Sequence, residues 1–269
     1  MFNFRARTPR LATPVAKQAV LPVALPDGRV VDVLRVHHAS ARGLRLSVTE
    51  RGARLTCPPR TSDRRALAFA QEHAAWLAGQ LAHTFGAAEP LALGRTASLP
   101  LRGEALPLHW REGRYVRVER DGAGIAIWHP ANVRESAVRK ALGDFYLAEA
   151  RADVGRWLPK YLPGLPRAPR DVVIRPLTSL WGSLAPDDRM RLDLALVLVR
   201  PSAFEYVLVH ELCHLIQPNH SRAFWAEVEA RFPDWDAERE LLRAKGRPIK
   251  AMLRALVAVP PRVATAPSR

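Results

Sequence analysis

Residues 210–221 read HELCHLIQPNHS, and this stretch decides how the rest of the chain is interpreted. His210 and His214 are four positions apart, so on an α-helix their imidazoles lie on one face and can bind the same metal ion. Zinc binds neutral imidazole at about 2.0–2.1 Å and keeps one position open for water at catalytic sites. Glu211 is rotated by about 100° from His210, which places it beside that water. The pattern predicts hydrolysis of a peptide bond by attack of zinc-bound water, with Glu211 as the general base.

A third metal ligand is needed, and His220 is the best candidate. Pro218-Asn219 breaks the helix, so the chain can turn back and bring a third imidazole over the same face. The competing ligands are Glu227 and Glu229, because a downstream helix supplies a glutamate in some enzymes with this motif. The alternative role for His220 is that of a loop residue that only caps the next helix. We expect one zinc ion per chain, although manganese and cobalt also accept such ligands in vitro.

Four other residues near the motif have weaker cases. Cys213 is expected to be a small buried hydrophobe rather than a metal ligand. Asp193 or Glu205 could accept a hydrogen bond from the second nitrogen of a metal-bound histidine, and the spacing does not choose between them. Tyr206 precedes His210 by four positions and so shares its helix face. It could stabilise an oxyanion there, although helix packing is the simpler role.

The pattern of elements predicts an α+β fold, with a β-rich N-terminal part followed by a catalytic part that carries the motif helix. Short β-type runs are expected at residues 30–36, 44–49, 54–57, 106–110, 115–119, 125–129, 172–174 and 190–196. Helices are expected at residues 63–83, 133–158, 201–217, 222–231 and 236–244. Ser221 is the expected N-cap of the helix that begins at residue 222. We detect no internal repeat in the sequence.

Changes of composition divide the chain into four segments. Residues 1–26 contain several prolines and no periodicity, so we expect a flexible N-terminal arm. Residues 27–131 are expected to form a mainly β domain with one helix. Residues 132–245 are expected to form the catalytic domain around the motif helix. Residues 246–269 are rich in proline and basic residues, and we expect a flexible basic C-terminal tail.

The composition is that of a globular protein with a strong positive charge. The 269 residues contain 41 Lys and Arg against 26 Asp and Glu, which gives a net charge of +15. This charge favours polyanionic partners, but the basic residues are scattered, which favours an ordinary solvated surface. No apolar run is long enough for a transmembrane helix, and the first residues lack the apolar core of a secretory signal. With only Cys57 and Cys213, a disulfide framework is excluded and a cytoplasmic location is expected.

The motif region resembles the YgjP-like metallopeptidase family. The resemblance is specific in HELCH at 210–214, NHS at 219–221, FW at 224–225, WGS at 181–183 and PDW at 233–235. It extends more diffusely to the β-rich stretch 33–57 and the helix through Trp76. It implies a zincin-like catalytic part in which His210, His214 and His220 bind zinc and Glu211 is the base. The chain is also similar, more distantly, to SprT-like and WLM-type proteases. It departs from the family pattern at Leu180, where a basic residue is usual, and at Leu184, where a cysteine is usual.

Three hypotheses about function follow. The first is a zinc-dependent endopeptidase that acts on a peptide or protein substrate, with the strand at 190–196 offering its edge to an extended peptide. The second is a basic, nucleic-acid-associated protein in which contact with DNA selects the substrate, motivated by the net charge and by the distant SprT resemblance. The third is a protein in which zinc is only structural, and Glu211 argues against it because a structural site needs no base.

Overall fold

The computed structural model describes residues 19–49, 52–86 and 89–258. The chain divides into two compact units, Met1–Ala82 and His83–Arg269. The predicted α+β class is confirmed, since both units combine helices with sheets. The division falls earlier than the predicted boundary at residue 131, because the second group of strands belongs to the unit that contains the motif helix. Among the described residues, no helix has the length and apolar character needed to cross a membrane.

The first unit is a four-stranded sheet followed by two helices. Its sheet has the order β1-β2-β4-β3, with β2 and β4 parallel and the other neighbours antiparallel. The strands are β1 Ala19–Ala24, β2 Val30–His37, β3 Arg45–Thr49 and β4 Gly52–Cys57, and the helices are α1 Asp63–Glu72 and α2 Ala74–Phe85. Alternate residues of β4, including Leu55 and Cys57, are fully buried, as expected for a sheet with one face on a core. The two helices replace the single helix predicted at 63–83, with the break at His73.

Strand β1 corrects the prediction of a flexible arm for its last residues. Leu21 and Val23 of β1 are buried, and the side-chain amide of Gln71 in α1 bonds to the backbone of Ala24 in both directions, at 2.7 and 3.2 Å. Residues 1–18 of the predicted arm lie outside the described residues. Several prolines and the lack of periodicity favour an arm over residues 1–26, but Pro22 is tolerated in β1, which is the edge strand of its sheet.

The second unit begins with another four-stranded sheet and the longest helix of the chain. Its strands are β5 Ser98–Leu101, β6 Glu104–Glu112, β7 Arg117–Asp121 and β8 Gly124–His129, and α3 Glu135–Tyr161 follows them. The remaining elements are the strands β9 Asp171–Arg175, β10 Gly182–Leu184 and β11 Arg189–Asp193, a 3₁₀ helix Leu194–Leu198, and the helices α4 Pro201–Cys213, α5 Arg222–Arg231 and α6 Trp235–Val257. The predicted strand at 190–196 therefore ends at Asp193 and continues as the 3₁₀ helix. Pro159 lies inside α3 rather than ending it.

The two four-stranded sheets have the same topology, a repeat of strand order in a chain whose sequence shows no internal repeat. The second sheet has the order β5-β6-β8-β7, with a parallel central pair and antiparallel outer pairs, as in the first sheet. Each sheet begins with a Leu-Pro pair on its edge strand, Leu21-Pro22 in one and Leu99-Pro100 in the other. In both cases the leucine is buried and a tight turn with a positive-φ glycine follows, at Gly28 and Gly103. The repeat is therefore one of connectivity more than of sequence.

Helix α6 corrects the prediction of a flexible tail from residue 246. The helix runs through Gly246 and Pro248 to Val257, and its residues Leu253 and Leu256 are buried. Arg139 of α3 is itself buried and donates hydrogen bonds to the backbone carbonyls of Ala255 and Leu256. The last part of the predicted tail, residues 259–269, lies outside the described residues.

The hairpin turn between β5 and β6 fixes the approach to α4. Arg102 and Gly103 both have positive φ, 52° and 85°, as a two-residue type I′ turn requires. Their backbone N–H groups donate to the carbonyls of Val197 and Leu198, at 2.8 and 3.0 Å. A Cβ at Gly103 would lie 3.1 Å from the backbone nitrogen of Arg200, so the turn packs closely against the residue that precedes α4.

Candidate metal centre

Helix α4 is held rigidly because it is buried on almost every side. Pro201 occupies its first turn, where a missing N–H is tolerated, and Phe204 and Leu208 are among its fully buried residues. The ring of Phe204 meets that of Trp157 in α3 edge-on at 5.4 Å. Only the face that carries His210 and His214 opens to a cleft. The helix ends at Cys213 and not near Pro218 as predicted, and His214 is its C-cap residue.

The structure brings the three predicted histidines together. One ring nitrogen from each of His210, His214 and His220 lies within 4.8 Å of the other two. The Nε2 atoms of His210 and His220 are 3.0 Å apart. Two ligand nitrogens on a tetrahedral zinc lie about 3.3 Å apart, given bonds of about 2.0–2.1 Å. The cluster therefore has the composition and spacing of three ligands for one metal ion.

The hydrogen bond of Nδ1 in His214 shows which ring nitrogen of this histidine is free to bind a metal ion. Nδ1 of His214 lies 3.1 Å from the carbonyl oxygen of Gln217, which can only accept, so Nδ1 carries the proton and Nε2 keeps its lone pair. Nδ1 of His210 is buried without a hydrogen-bond partner among the described residues. The prediction that Asp193 or Glu205 orients a histidine is wrong. Asp193 pairs with Lys250, and Glu205 accepts a hydrogen bond from Tyr161 at 2.9 Å.

Two aromatic residues of α5 form one wall of the histidine cluster. Ser221 caps α5 as predicted, accepting the N–H of Phe224 at 3.3 Å. The fully buried ring of Phe224 stacks on His214 at 4.6 Å and meets His210 and His220 edge-on. The ring centroid of Trp225 lies 5.7 Å from that of His210. Sequence reasoning did not assign Phe224 this role, although its place three residues after the N-cap could have suggested it.

Burial favours the neutral form of His210 and His214, which is the form that binds metal. Desolvation lowers the pKa of His210 to about 3, and the positive charges of His214, His220 and Arg239 act in the same direction. The pKa of His214 is also lowered, mainly by burial. His210 therefore carries no proton at neutral pH that a metal ion would have to displace, and the lowered pKa of His214 acts in the same direction.

Glu211 lies next to the cluster, between α4 and β10. Its side chain is only 5% exposed, and this burial raises the pKa of its carboxyl to about 8, although a hydrogen bond with the backbone of Leu184 acts in the opposite direction. A Cβ placed on Gly182 would lie 2.6 Å from Oε1 of Glu211 and 2.7 Å from its Cγ. Glycine at position 182 is therefore a steric requirement of the Glu211 position, a role that sequence reasoning missed.

The competing ligands lie elsewhere. Glu227 forms an ion pair with Arg231 at 2.5 Å, and Glu229 is exposed on α5. Cys213 is fully buried in the core, and burial raises the pKa of its thiol to about 11, which disfavours the thiolate that a metal would need. Within the described part of the chain, the only group of three or more His, Cys, Asp or Glu with metal-binding spacing is the histidine cluster.

The cluster opens into a cleft of about 850 Å³ between β10, α4 and α6. Tyr206 lines this cleft one turn before His210, and their rings meet edge-on at 5.9 Å. The three-stranded sheet has the order β10-β11-β9, so β11 is central and the expectation that residues 190–196 offer a free edge is wrong. The edge strand beside the cleft is β10, with its residues Gly182, Ser183 and Leu184.

The three-histidine cleft has the ligands of a metal-dependent enzyme, and comparison with known proteins gives the family of the chain. The model of the YgjP-like metallopeptidase domain matches residues 42–245, and the chain belongs to this family. It is thus a hydrolase of peptide bonds with a catalytic metal. A solved structure, the metallopeptidase zymogen of Pyrococcus abyssi abylysin, is 27% identical over 38% of this chain and 92% of its own length, with a TM-score of 0.26. No curated protein matches the chain.

Proposed function

We propose that the protein is a zinc-dependent endopeptidase with His210, His214 and His220 as metal ligands and Glu211 as the general base. The observation that carries this proposal is the convergence of the three imidazoles beside a buried carboxylate in one open cleft. Three neutral nitrogen ligands leave a fourth position for water or substrate, and this ligand set suits zinc. A purely structural site would be closed and would have no use for the carboxylate.

Each residue then has a defined task. The ion, when bound, supplies Lewis acidity, which polarises the scissile carbonyl and acidifies a water molecule. The positive charge of the ion would lower the pKa of Glu211 from its raised value, so its ionised carboxylate could take the proton from that water and pass it to the leaving amine. Gly182 and the backbone of Leu184 hold its carboxylate in place. Burial raises the pKa of Tyr206 to about 12, so its phenol stays protonated and can donate a hydrogen bond to the developing oxyanion.

The substrate would be an extended segment of a peptide or protein. Strand β10 is an edge strand of its sheet and lines the cleft, so a substrate could add to the sheet as a further strand. Hydrogen bonds to the main chain of the substrate do not depend on its sequence. Selection among substrate side chains would therefore come from the other residues that line the cleft.

Metal content and peptide cleavage, measured on the same samples, test the proposal. We expect one zinc per chain in the wild type and in Glu211→Gln, with kcat in Glu211→Gln reduced by at least about 10²-fold because the general base is removed. His220→Ala should lose zinc and activity together, since two ligands are left. His83→Ala is the matched control, because His83 is exposed and lies outside the cluster.

Two results would contradict the proposal. Full activity of Glu211→Gln would remove the carboxylate from the reaction. A wild type that binds no zinc under metal-replete conditions would remove the ligand assignment, and a folded protein that binds zinc but cleaves no peptide would favour a structural role for the ion.

A second hypothesis, contact with nucleic acid, draws support from the surface of the first unit. Exposed arginines lie on β3, β4 and α1, and they are Arg45, Arg54, Arg64 and Arg65. If they bind DNA, affinity for an oligonucleotide should fall steeply with salt, and replacing two of them by glutamine should reduce the slope. Absence of binding at low salt would end this hypothesis without affecting the peptidase proposal.

A further inference from the structure

The cleft beside the histidine cluster is lined by three arginines, and two of them are already neutralised. Arg167 forms a two-bond ion pair with Asp188, at 2.5 and 2.8 Å. Arg243 forms a two-bond pair with Glu240, with both distances 2.8 Å. Such pairs occupy the forked face of the guanidinium that would otherwise bind a carboxylate of the substrate. Neither arginine therefore brings an uncompensated charge to the cleft.

Arg239 is different, because no described carboxylate lies within ion-pair distance of its guanidinium. Its guanidinium carbon lies over the ring of Trp225 at 4.9 Å and close to that of Trp235 at 5.8 Å, and the two indoles stack on each other at 4.5 Å. Aromatic faces attract a guanidinium without using its N–H groups. The tryptophan pair thus holds Arg239 in place while leaving its N–H donors available.

The same tryptophan connects Arg239 to the metal ligands. Trp225 contacts the guanidinium on one side, and its ring also packs against His210 and His220, with centroids 5.7 and 5.9 Å apart. An extended peptide advances about 3.3 Å per residue. A carboxylate bound by Arg239 would therefore belong to a residue within about three positions of the scissile bond.

We propose that Arg239 is a specificity-determining residue that binds a carboxylate of the peptide substrate close to the cleavage point. The proposal rests on the peptidase function proposed above. Many exposed arginines are simply solvated. Arg239 differs because it lines the cleft and its guanidinium lies on an aromatic ring. Among the described arginines that line the cleft, it is the one without an ion pair. The carboxylate can come from an Asp or Glu side chain or from the C-terminus of a short peptide, since the guanidinium binds both in the same way.

Matched peptides distinguish these sources in a cleavage assay with the zinc-loaded protein. One set has Glu, Gln or Lys at single positions on either side of a fixed cleavage point, and a second set has a free or amidated C-terminus at the same distances. We expect kcat/KM of the wild type to be about tenfold or more higher for the peptide with the carboxylate at one position, because a charge-assisted hydrogen bond is gained.

Variants of Arg239 show whether this residue causes the preference. Arg239→Gln should remove the preference, Arg239→Lys should keep part of it, and Arg239→Glu should reverse it in favour of a lysine at the same position. A merely structural role of Arg239 would change all peptides equally and could not reverse the preference. Zinc content, measured on each variant, should stay at one per chain. Arg243→Gln is the matched control and should leave the preference unchanged.

The possible failures are separable. A wild type that cleaves none of the peptides contradicts the proposed function. A wild type that cleaves acidic and neutral peptides equally, or an Arg239→Gln variant that keeps the preference, overturns the assignment of Arg239. If Arg239→Gln instead loses salt-dependent binding to a single-stranded oligonucleotide and keeps its peptide preference, Arg239 is a phosphate contact and the assignment is likewise wrong.

Discussion

At the scale of single residues, Gly182 shows how closely the carboxylate of Glu211 is confined. The space that a Cβ at position 182 would occupy is already filled by Oε1, Cγ and Cδ of Glu211, all within 2.9 Å. A side chain at this position must therefore displace the carboxylate or the strand that faces it. The three atoms nearest to that Cβ all belong to Glu211 and none to a histidine, so an effect on the base can be separated from an effect on metal binding.

We expect Gly182→Ala to retain its metal and to lower kcat by about 10²-fold, since displacements of about 1 Å at a catalytic group have effects of this size. The overpacking should also reduce the free energy of unfolding by about 1–3 kcal/mol. Steady-state kinetics with metal analysis and chemical denaturation measure the two effects. Gly155→Ala in α3 is the control, because a Cβ there meets no described atom within 4 Å. Unchanged kcat in Gly182→Ala would show that Glu211 tolerates displacement.

Site residues that depend on local spacing could be predicted from the sequence. Those that depend on contacts between distant parts of the chain could not. His210 and His214 were predictable because helical periodicity alone places residues four apart on one face. The prediction of His220 as a third ligand required only that the helix end before it, which Pro218 indicates. The partner of the His214 ring was not predictable, because a backbone carbonyl, that of Gln217, has no sequence signature. Arg239 could not be recognised either, since its importance depends on two tryptophans meeting in space.

At the scale of elements, α6 connects the C-terminal part of the chain to the wall of the cleft. Lys250 of α6 is buried, pairs with the buried Asp193, and donates a hydrogen bond to the carbonyl of Leu180 at 2.9 Å. Its ammonium group also lies 4.5 Å from the ring centroid of Trp181. This one side chain thus joins α6 to the end of β11 and to the segment that leads into β10.

Replacing Lys250 by methionine should be strongly destabilising, because it leaves the carboxylate of Asp193 buried without its cation. We expect a loss of about 3–5 kcal/mol in the free energy of unfolding. The double variant Lys250→Met with Asp193→Asn should recover part of this loss, since no charge is then left unpaired. Denaturant titration gives both values, and Lys245→Met on the exposed face of α6 is the control. A loss as small as that of the control would mean that the pair adds little to stability.

The predicted end of α6, at residue 244, is too early for a physical reason. Gly246 and Pro248 are usually helix-ending residues, and the basic composition after them favoured a tail. In the structure, the absence of a side chain at Gly246 lets Trp181 approach, since a Cβ there would be 3.2 Å from Cζ2 of the indole. The helix is stabilised by tertiary contacts, from Arg139 and Lys250, which a local pattern does not contain.

At the scale of the whole molecule, the metal centre is built from one of the two units. All three histidines, Glu211 and the residues that line the cleft belong to residues 83–269. We expect a fragment of residues 89–269 to fold and to bind one zinc ion, with melting measured by circular dichroism in the presence and absence of metal. Zinc should raise its melting temperature, because the folded state binds the ion more tightly than the unfolded chain. A fragment that is unfolded with zinc present would show that the first unit is needed for stability.

The repeated sheet escaped sequence analysis because the two copies share connectivity while few residues coincide. Leu-Pro on the edge strand and a glycine at the following turn are the visible signals, and both are common in β proteins. The division of the chain at residue 82 has no composition signal for the same reason, since the strands before and after it look alike in sequence. Fold class depended only on the kinds of element present, and it was therefore predicted correctly.

The two copies of the sheet differ in how much change their first turns can accept. The turn at Arg102-Gly103 is held by Val197, Leu198 and the ion pairs of Arg102 with Glu149 and Asp153, so it has no room for added residues. The corresponding turn at Gly28 is open, and a Cβ there meets no described atom within 4 Å. Inserted peptides, affinity tags or fluorescent labels therefore belong at Gly28, where a foreign loop leaves the packing of the chain undisturbed.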